Sequence, residues 1–228
     1  MEDCVHCSLD ITSMVELLDA MGSDATVVNA ARVSMGVSIP ENEPLREQDV
    51  RLIQFLARNN HSSPFFHPIL RFRIKMPIFV AREWYRHTVG FARNEISRRY
   101  VTGPVECVVP SIIRERHPNK KQGSKDTSVE KNDECIEIMR KAMDSSMKIY
   151  RDLLKNNVAP EIARSVLPQA MMTEFIETAS LSAYARLYKL RYDPNAQYEI
   201  REYAEAVGRL ISEKFPIAWE ALITEEKQ

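Results

Sequence analysis

The chain has 228 residues, 44% hydrophobic and 28% charged, with a formal net charge of -1 and a pI near 6.5. This is an ordinary globular composition, able to bury one substantial core as a single domain over residues 1–228 or a closely merged pair. A near-neutral chain argues against nucleic acid as partner. No apolar stretch reaches the roughly 18 residues of a membrane span, and the start, Met1-Glu2-Asp3-Cys4, lacks the basic and apolar regions of a secretory leader. The expectation is a cytoplasmic protein with neither membrane nor nucleic acid as partner.

Cysteines at 4, 7, 107 and 135 are too sparse for a disulfide framework and read as free thiols. Cys4-Val5-His6-Cys7 has the composition of half a zinc site, but no second pair at ligand spacing follows, so no metal is expected. Asp24 is a candidate N-cap for a helix through Val27, Val28, Ala31 and Val33. Residues 38–47 read as loop, and a second helix follows to about Arg58 with Val50, Ile53, Phe55 and Leu56 as apolar positions. Over 70–76, Leu70, Phe72, Ile74 and Met76 alternate strictly with Arg71, Arg73 and Lys75, the pattern of a half-buried strand with a basic outer face. Pro77 suits the first position of a helix over 78–87.

Further along, 117–127 reads as loop and a long helix spans 129–156. Ala159-Pro160 opens another helix, which carries Arg164 and must kink or restart at Pro168. Met172, Phe175, Ile176, Ala179, Ala183, Leu187 and Leu190 recur at helical spacing, with Thr178, Ser182 and Arg186 on a different face that on pattern alone is solvated. Asp193-Pro194 starts a final helix to about Lys214. These elements predict an α+β fold: an antiparallel sheet including 69–76, covered by helices, with long helices from 129 to 190 forming a partly separate bundle.

The densest chemistry lies in 84–100, where Arg86, His87, Arg93, Asn94, Glu95, Ser97, Arg98 and Arg99 crowd together. Glu83 stands three and four residues from Arg86 and His87, as Glu95 does from Arg98 and Arg99. Two readings remain open: a solvated, salt-bridged helix pair interrupted at Gly90, or an anion site whose guanidinium forks take phosphate or carboxylate bidentately. With no glycine-rich dinucleotide fingerprint and no phosphate loop, a nucleotide would have to be held another way. His61 and His67 read equally as satisfied core histidines. Ser97 has no legible Ser-His-acid arrangement and is assigned to substrate binding.

Six blocks resemble the flavin-dependent thymidylate synthases, in order and spacing, from residue 29 to about 200: Asn29-Ala-Ala-Arg-Val-Ser34; His61-Ser-Ser-Pro-Phe-Phe-His67; Pro77-Ile-Phe-Val-Ala-Arg82; Arg86-His87 with Asn94-Glu95-Ile96-Ser97-Arg98-Arg99-Tyr100; Ala163-Arg-Ser-Val-Leu-Pro168; and Leu190-Arg191 with Ala196-Gln197. The chain departs from the family pattern in places. Thr88 replaces the second arginine of Arg-His-Arg, eight residues rather than seven precede Ser97, and Arg93 is the nearest substitute charge. Phe66, Glu83, Ser180 and Ser182 stand where glutamate, glutamine, asparagine and arginine are common. The version Gly90-Phe-Ala-Arg-Asn-Glu95, with Thr178-Ala-Ser-Leu181, is similar to a divergent branch seen in phages and some bacteria.

The resemblance implies that reduced FAD, recharged by NADPH, mediates methylene transfer from 5,10-methylenetetrahydrofolate to C5 of dUMP. It further implies a homotetramer with FAD and dUMP bound where subunits meet. Carried over by position, Arg191 is the catalytic cation on the uracil. Glu83, Arg86, Glu95, Ser97, Arg98, Arg99 and Arg164 join it around dUMP. Ser63, Arg86, His87, Thr88, Glu95, Ser180, Ser182 and Arg186 hold FAD, with His61 and Ser34 nearby. A phosphate dianion and a ring oxygen gaining negative charge both call for such cations. Two alternatives fit the same residues: methylation of another uridine nucleotide such as UMP, and a catalytically idle nucleotide-binding oligomer. Cys107, within the apolar run Val105-Glu106-Cys107-Val108-Val109, reads as a small core hydrophobe and not as a thiolate nucleophile.

Overall fold

Period-two alternation fixes the strands, and the computed structural model, which describes residues 4–6, 14–41, 43–119 and 123–224, gives their order. Strands β1 (Cys4–His6) and β2 (Val15–Met21) precede helices α1 (Asp24–Arg32) and α2 (Glu47–Arg58). Then come β3 (Ile69–Pro77), α3 (Ile78–Trp84), β4 (Phe91–Glu95), β5 (Glu106–Val108), β6 (Arg114–Arg116) and β7 (Ser124–Ser128). The order closes with α4 (Asn132–Lys155), α5 (Pro160–Ala163), β8 (Met172–Ser180), α6 (Leu181–Arg191), α7 (Tyr198–Lys214) and α8 (Pro216–Ile223). Among the described residues no helix is long and apolar enough to cross a membrane.

The main sheet has the order β2-β3-β8-β4. Partners advance in opposite directions at each junction: Asp19 and Glu16 meet Arg71 and Arg73, Leu181 and Met171 meet Pro68 and Ile78, Glu177 and Glu174 meet Arg93 and Ile96. The sheet is therefore antiparallel. The alternation of β3 is realised in full, with Leu70, Phe72, Ile74 and Met76 wholly buried. Its outer arginines form exposed ion pairs with β2, each contributing at most about 1 kcal/mol.

The expected helical bundle over 129–190 is corrected by β8. Residues 172–180 form an internal strand, with Phe175, Glu177 and Ala179 buried and Glu174 and Ile176 exposed. The chain changes period at Ser180, whose hydroxyl accepts from the Ala183 amide at 3.3 Å and caps α6, so the helical stripe is genuine only from Leu181 onward. Between 129 and 171 the long helix is α4; α5 is a single turn that passes into a 3-10 turn over Arg164–Val166.

Other differences are local. Pro77 ends β3 in an extended conformation, and α3 stops at Trp84, short of residue 87. Ser23, not Asp24, caps α1 in a capping box with Thr26. Asp24 instead accepts from the Ile217 and Ala218 amides at 3.1 and 2.9 Å, satisfying the start of α8, a helix the sequence reading omitted. Asp193 closes a turn onto Asn195, and α7 begins later, at Tyr198. Within 117–127 lies the start of β7, antiparallel to β6. Cys7 and residues 120–122 lie outside the described residues.

By backbone contacts the chain divides into two units, Met1–Met14, Ile74–Arg86 and Asn94–Phe175 in one, Val15–Arg73, His87–Arg93 and Ile176–Gln228 in the other. The first has a core of Val105, Cys107, Val109, Met143, Met147 and Tyr150 built around α4. In the second, Tyr184 meets Phe72 and Phe91 edge-on, each at 5.2 Å. Gly208 lets α7 approach α6 closely, since a Cβ there would lie 2.5 Å from the Tyr188 ring.

Candidate functional site

In the second unit the turn at Gly90 decides what can meet α6. Gly90 adopts φ +83°, and a Cβ there would stand 3.3 Å from that of Ala183, so only glycine lets the chain turn this tightly against the helix. Arg186 donates to the Ser182 hydroxyl at 3.1 Å and to the Val89 carbonyl at 3.0 Å. Arg191, the last residue of α6, donates from Nε to Nε2 of His87 at 2.8 Å. Burial first, then the charges of Arg191, Arg93 and Arg186, lower the His87 pKa to about 4. The imidazole is neutral at pH 7 and free to accept at Nε2.

Arg93 does not stand in for the arginine missing at position 88. Its guanidinium is committed to the fully buried carboxylate of Glu177 and to the His87 carbonyl, and lies 4.6 Å from the Phe91 ring centre. Burial, followed by the charge of Glu177, raises the Tyr184 phenol well above its usual range. The Arg93–Glu177 pair was missed in the sequence because 172–180 also fits a helical period; only on the buried face of β8, between Phe175 and Ala179, does the Glu177 carboxylate demand a cation.

The same unit contains a cleft of about 260 Å³ walled by Asn60, Ser62, Phe65, Ser182, Arg186 and Lys189. A larger one of about 690 Å³ shares Asn60 and Lys189 and adds Gln54 and Arg58. Hydroxyls, an amide and two cations form a donor set suited to a phosphate chain. Ser63 is exposed beside Ser62, at the start of the 3-10 turn Ser63–Phe66, and the Phe66 ring lies 6.0 Å from the Arg186 guanidinium. Ser180 is buried, its hydroxyl used as the α6 cap, and Thr88 is exposed. His61 and His67 are both exposed, so neither is a core histidine; His61 packs edge-on against Phe55 at 5.9 Å.

The first unit holds the other candidates, and of the two readings open for 84–100 the helix pair is absent, since α3 ends at Trp84 and Phe91–Glu95 is a strand. Arg86 follows the end of α3 and is exposed, so Glu83 does not share a continuous helix face with it. Beyond β4, Tyr100 and Val101 bond to the Ser97 carbonyl in a turn. Glu95 accepts from Thr173, and the Ser97 hydroxyl accepts from the Arg99 amide at 3.2 Å. Arg98 donates to the carbonyls of Gly103 and Pro104 at 2.7 and 2.8 Å. Arg99 stands 3.7 Å from Glu161, both about half exposed, and Arg164 is exposed at the start of its 3-10 turn. Arg99 and Arg164 have the accessibility that bidentate capture of a phosphate requires.

Residues 16–217 match the family model described as thymidylate synthase complementing protein. A flavin-dependent thymidylate synthase of Thermus thermophilus is 40% identical over 207 residues, 91% of this chain and 74% of that one. One from Thermosipho africanus is 36% identical over 210 residues, 92% and 90% of the two chains. A crystal structure of a UMP/dUMP methylase from Streptomyces cacaoi bound with 5-Br dUMP has a TM-score of 0.83 at 28% identity, covering 97% of this chain and 96% of that one. The same methylase bound with 5-Br UMP gives 0.83 at 27%, covering 98% and 97%.

Proposed function

Because this chain belongs to the thymidylate synthase complementing protein family, the flavin-dependent thymidylate synthases, we propose that it methylates dUMP to dTMP, taking the carbon from 5,10-methylenetetrahydrofolate. As a member of that family it is an enzyme, a methyltransferase and a flavoprotein. FAD, when bound and reduced by NADPH, supplies the hydride that completes the methyl group. Ser182 and Arg186 fit this cofactor, since a hydroxyl and a guanidinium facing one cleft match a phosphate chain. Ser63, Thr88 and Ser180, with His87, Arg86 and Glu95, complete the proposed FAD set.

The observation that carries the reading is the bond between Arg191 and His87. A neutral imidazole orients the guanidinium through Nε and adds no charge of its own. The terminal nitrogens of Arg191 can then meet the uracil oxygen on which negative charge develops as C5 attacks the folate carbon. Arg99, Arg164 and Ser97 bind the phosphate and sugar, with Glu83, Arg86, Glu95 and Arg98 around them. We place the sites where copies meet in a homotetramer, a reading supported by Val33 and Met35, 74% and 67% exposed on either side of Ser34.

The test is dTMP formation by the purified protein given dUMP, 5,10-methylenetetrahydrofolate, NADPH and FAD, with flavin absorbance and light scattering on the same sample. Turnover with flavin bound to an oligomer is expected. Nucleotide binding without flavin would favour the idle oligomer. UMP stays as a second substrate because the Streptomyces neighbour was solved with both 5-Br dUMP and 5-Br UMP, and competition between UMP and dUMP decides between them.

A further inference from the structure

The pair formed by Arg93 and Glu177 is more buried than any substrate contact needs: the arginine side chain is 14% exposed and the carboxylate fully enclosed. Such a pair is poor evidence for a stabilising role, because desolvation offsets the attraction and apolar residues of similar volume often do as well. An apolar pair could not donate, however. The Arg93 fork reaches the Glu177 carboxylate with one nitrogen and the main-chain carbonyl of His87 with another. Residues 87 and 88 belong to no helix or strand, so no ladder bond sets that carbonyl's direction. Glu177 stands on β8, an internal strand of the sheet, and ties Arg93 to it. The ring of the same His87 then accepts from Nε of Arg191. A chain of three bonds thus runs from β8 through β4 to the end of α6.

We propose that Arg93, anchored by Glu177, is a positioning residue that holds the main chain at His87 so that the ring fixes the direction of the Arg191 guanidinium. This rests on the role proposed above for Arg191. The charges facing the ring come from Arg191 and Arg186 on α6 and Arg93 on β4, with Glu177 and the neutral Tyr184 phenol next to Arg93. Arg93→Lys keeps the charge and loses the planar fork that spans two acceptors. Arg93→Met with Glu177→Leu removes both charges and leaves no orphaned ion in the core.

The experiment measures kcat and KM for dUMP, thermal unfolding, and the titration of the His87 ring by NMR in both variants and in Arg191→Ala. The double variant should unfold at or above the wild-type temperature, yet lose about a hundredfold in kcat, the cost of misplacing a catalytic group by about 1 Å. In Arg93→Lys the ring should titrate upward from about 4 although the net charge beside it is unchanged, because the bond from Arg191 is loosened. A double variant that folds and turns over like wild type overturns the proposal, as does an Arg93→Lys protein with His87 titration and kcat unmoved. Normal turnover in Arg191→Ala would overturn the role of Arg191 itself, and the His87 titration in Arg93→Lys would still decide whether Arg93 holds the ring.

Discussion

The two units of this chain use the same side chain in opposite ways. In the second, Arg93 is enclosed with a buried carboxylate, Arg186 is tied to a hydroxyl and a carbonyl, and Arg191 donates to a neutral ring. In the first, Arg99 has an exposed partner at 3.7 Å, Arg164 is exposed, and Arg98 rests on two carbonyls. Burial separates the extremes, Arg93 from Arg99 and Arg164. An enclosed guanidinium gives up its freedom to set the geometry of its neighbours. One in contact with water exchanges a weak, screened partner for an incoming dianion at little cost and gains charge-assisted bonds in return.

The largest effect should separate the units on stability. Glu177→Gln leaves the Arg93 charge enclosed without its counter-ion and should cost about 3–5 kcal/mol, whereas Glu161→Ala, which removes the exposed partner of Arg99, should cost at most about 1 kcal/mol. Denaturant unfolding of the two variants side by side makes the comparison. Next, Arg191→Ala should lower kcat by about a hundredfold to a thousandfold, as loss of a group stabilising developing negative charge does, with unfolding unchanged. Arg191→Lys should recover only part, since a point charge does not reproduce the fork. Arg99→Ala and Arg164→Ala should act more weakly and on binding: each raises KM for dUMP by about tenfold or more, the worth of a hydrogen bond to a charged group, and leaves kcat nearly unchanged.

Why this structure was only partly legible follows from particular residues. The faces of β3 could be read because Leu70, Phe72, Ile74 and Met76 satisfy period two and no other. Residues 172–180 could not, because Met172, Phe175, Ile176 and Ala179 satisfy a helical period too, and pairing between β3 and β4 overrides local pattern. The run 84–100 showed its density of polar and charged groups but not its shape: Gly90 turns the chain from α3 into a strand, so the i+3 and i+4 spacings of Glu83 and Glu95 carry no helical meaning. Arg93 was recognised as a charge near position 88, while its partner Glu177, far along the sequence, is joined to it only by the register of β4 on β8. The cleft holding Ser182 and Arg186 with Asn60 and Lys189 is likewise a product of tertiary packing.

A smaller effect concerns acid. The folded His87 pKa of about 4 lies below its ordinary value of 6.5, so above 6.5 the ring is neutral in both folded and unfolded chains. Between those values the unfolded chain binds a proton that the folded one does not, so stability falls as pH drops through this window and the loss is complete below the folded pKa. The ring is half exposed, which keeps the amplitude small. Unfolding temperatures between pH 6.5 and 5, above the range of ordinary carboxylates, should decline in wild type and stay flatter in His87→Gln. A wild-type profile as flat as that of the variant would place the ring in water and remove its part in aiming Arg191.

The smallest effect should come from the thiols. Cys107 is fully buried in the first unit's apolar core, its Sγ 3.9 Å from Sδ of Met147, and Cys135 is half-buried on α4. A thiolate that attacks uracil C6, as in the flavin-independent route to dTMP, needs an accessible electropositive setting, and Cys107 is enclosed among apolar side chains. Cys107→Ala removes one buried heavy atom and should cost about 1 kcal/mol, near the mildest core truncations. With Cys4, Cys7 and Cys135 also changed to alanine, the protein should still convert dUMP to dTMP, require FAD and NADPH, and release tetrahydrofolate. An all-alanine variant that folds and binds flavin but makes no dTMP would show that covalent attack by a thiol is needed. It would shift the decisive chemistry from the guanidinium of Arg191 to a sulfur, and the contrast between aiming and binding arginines would then no longer account for the reaction.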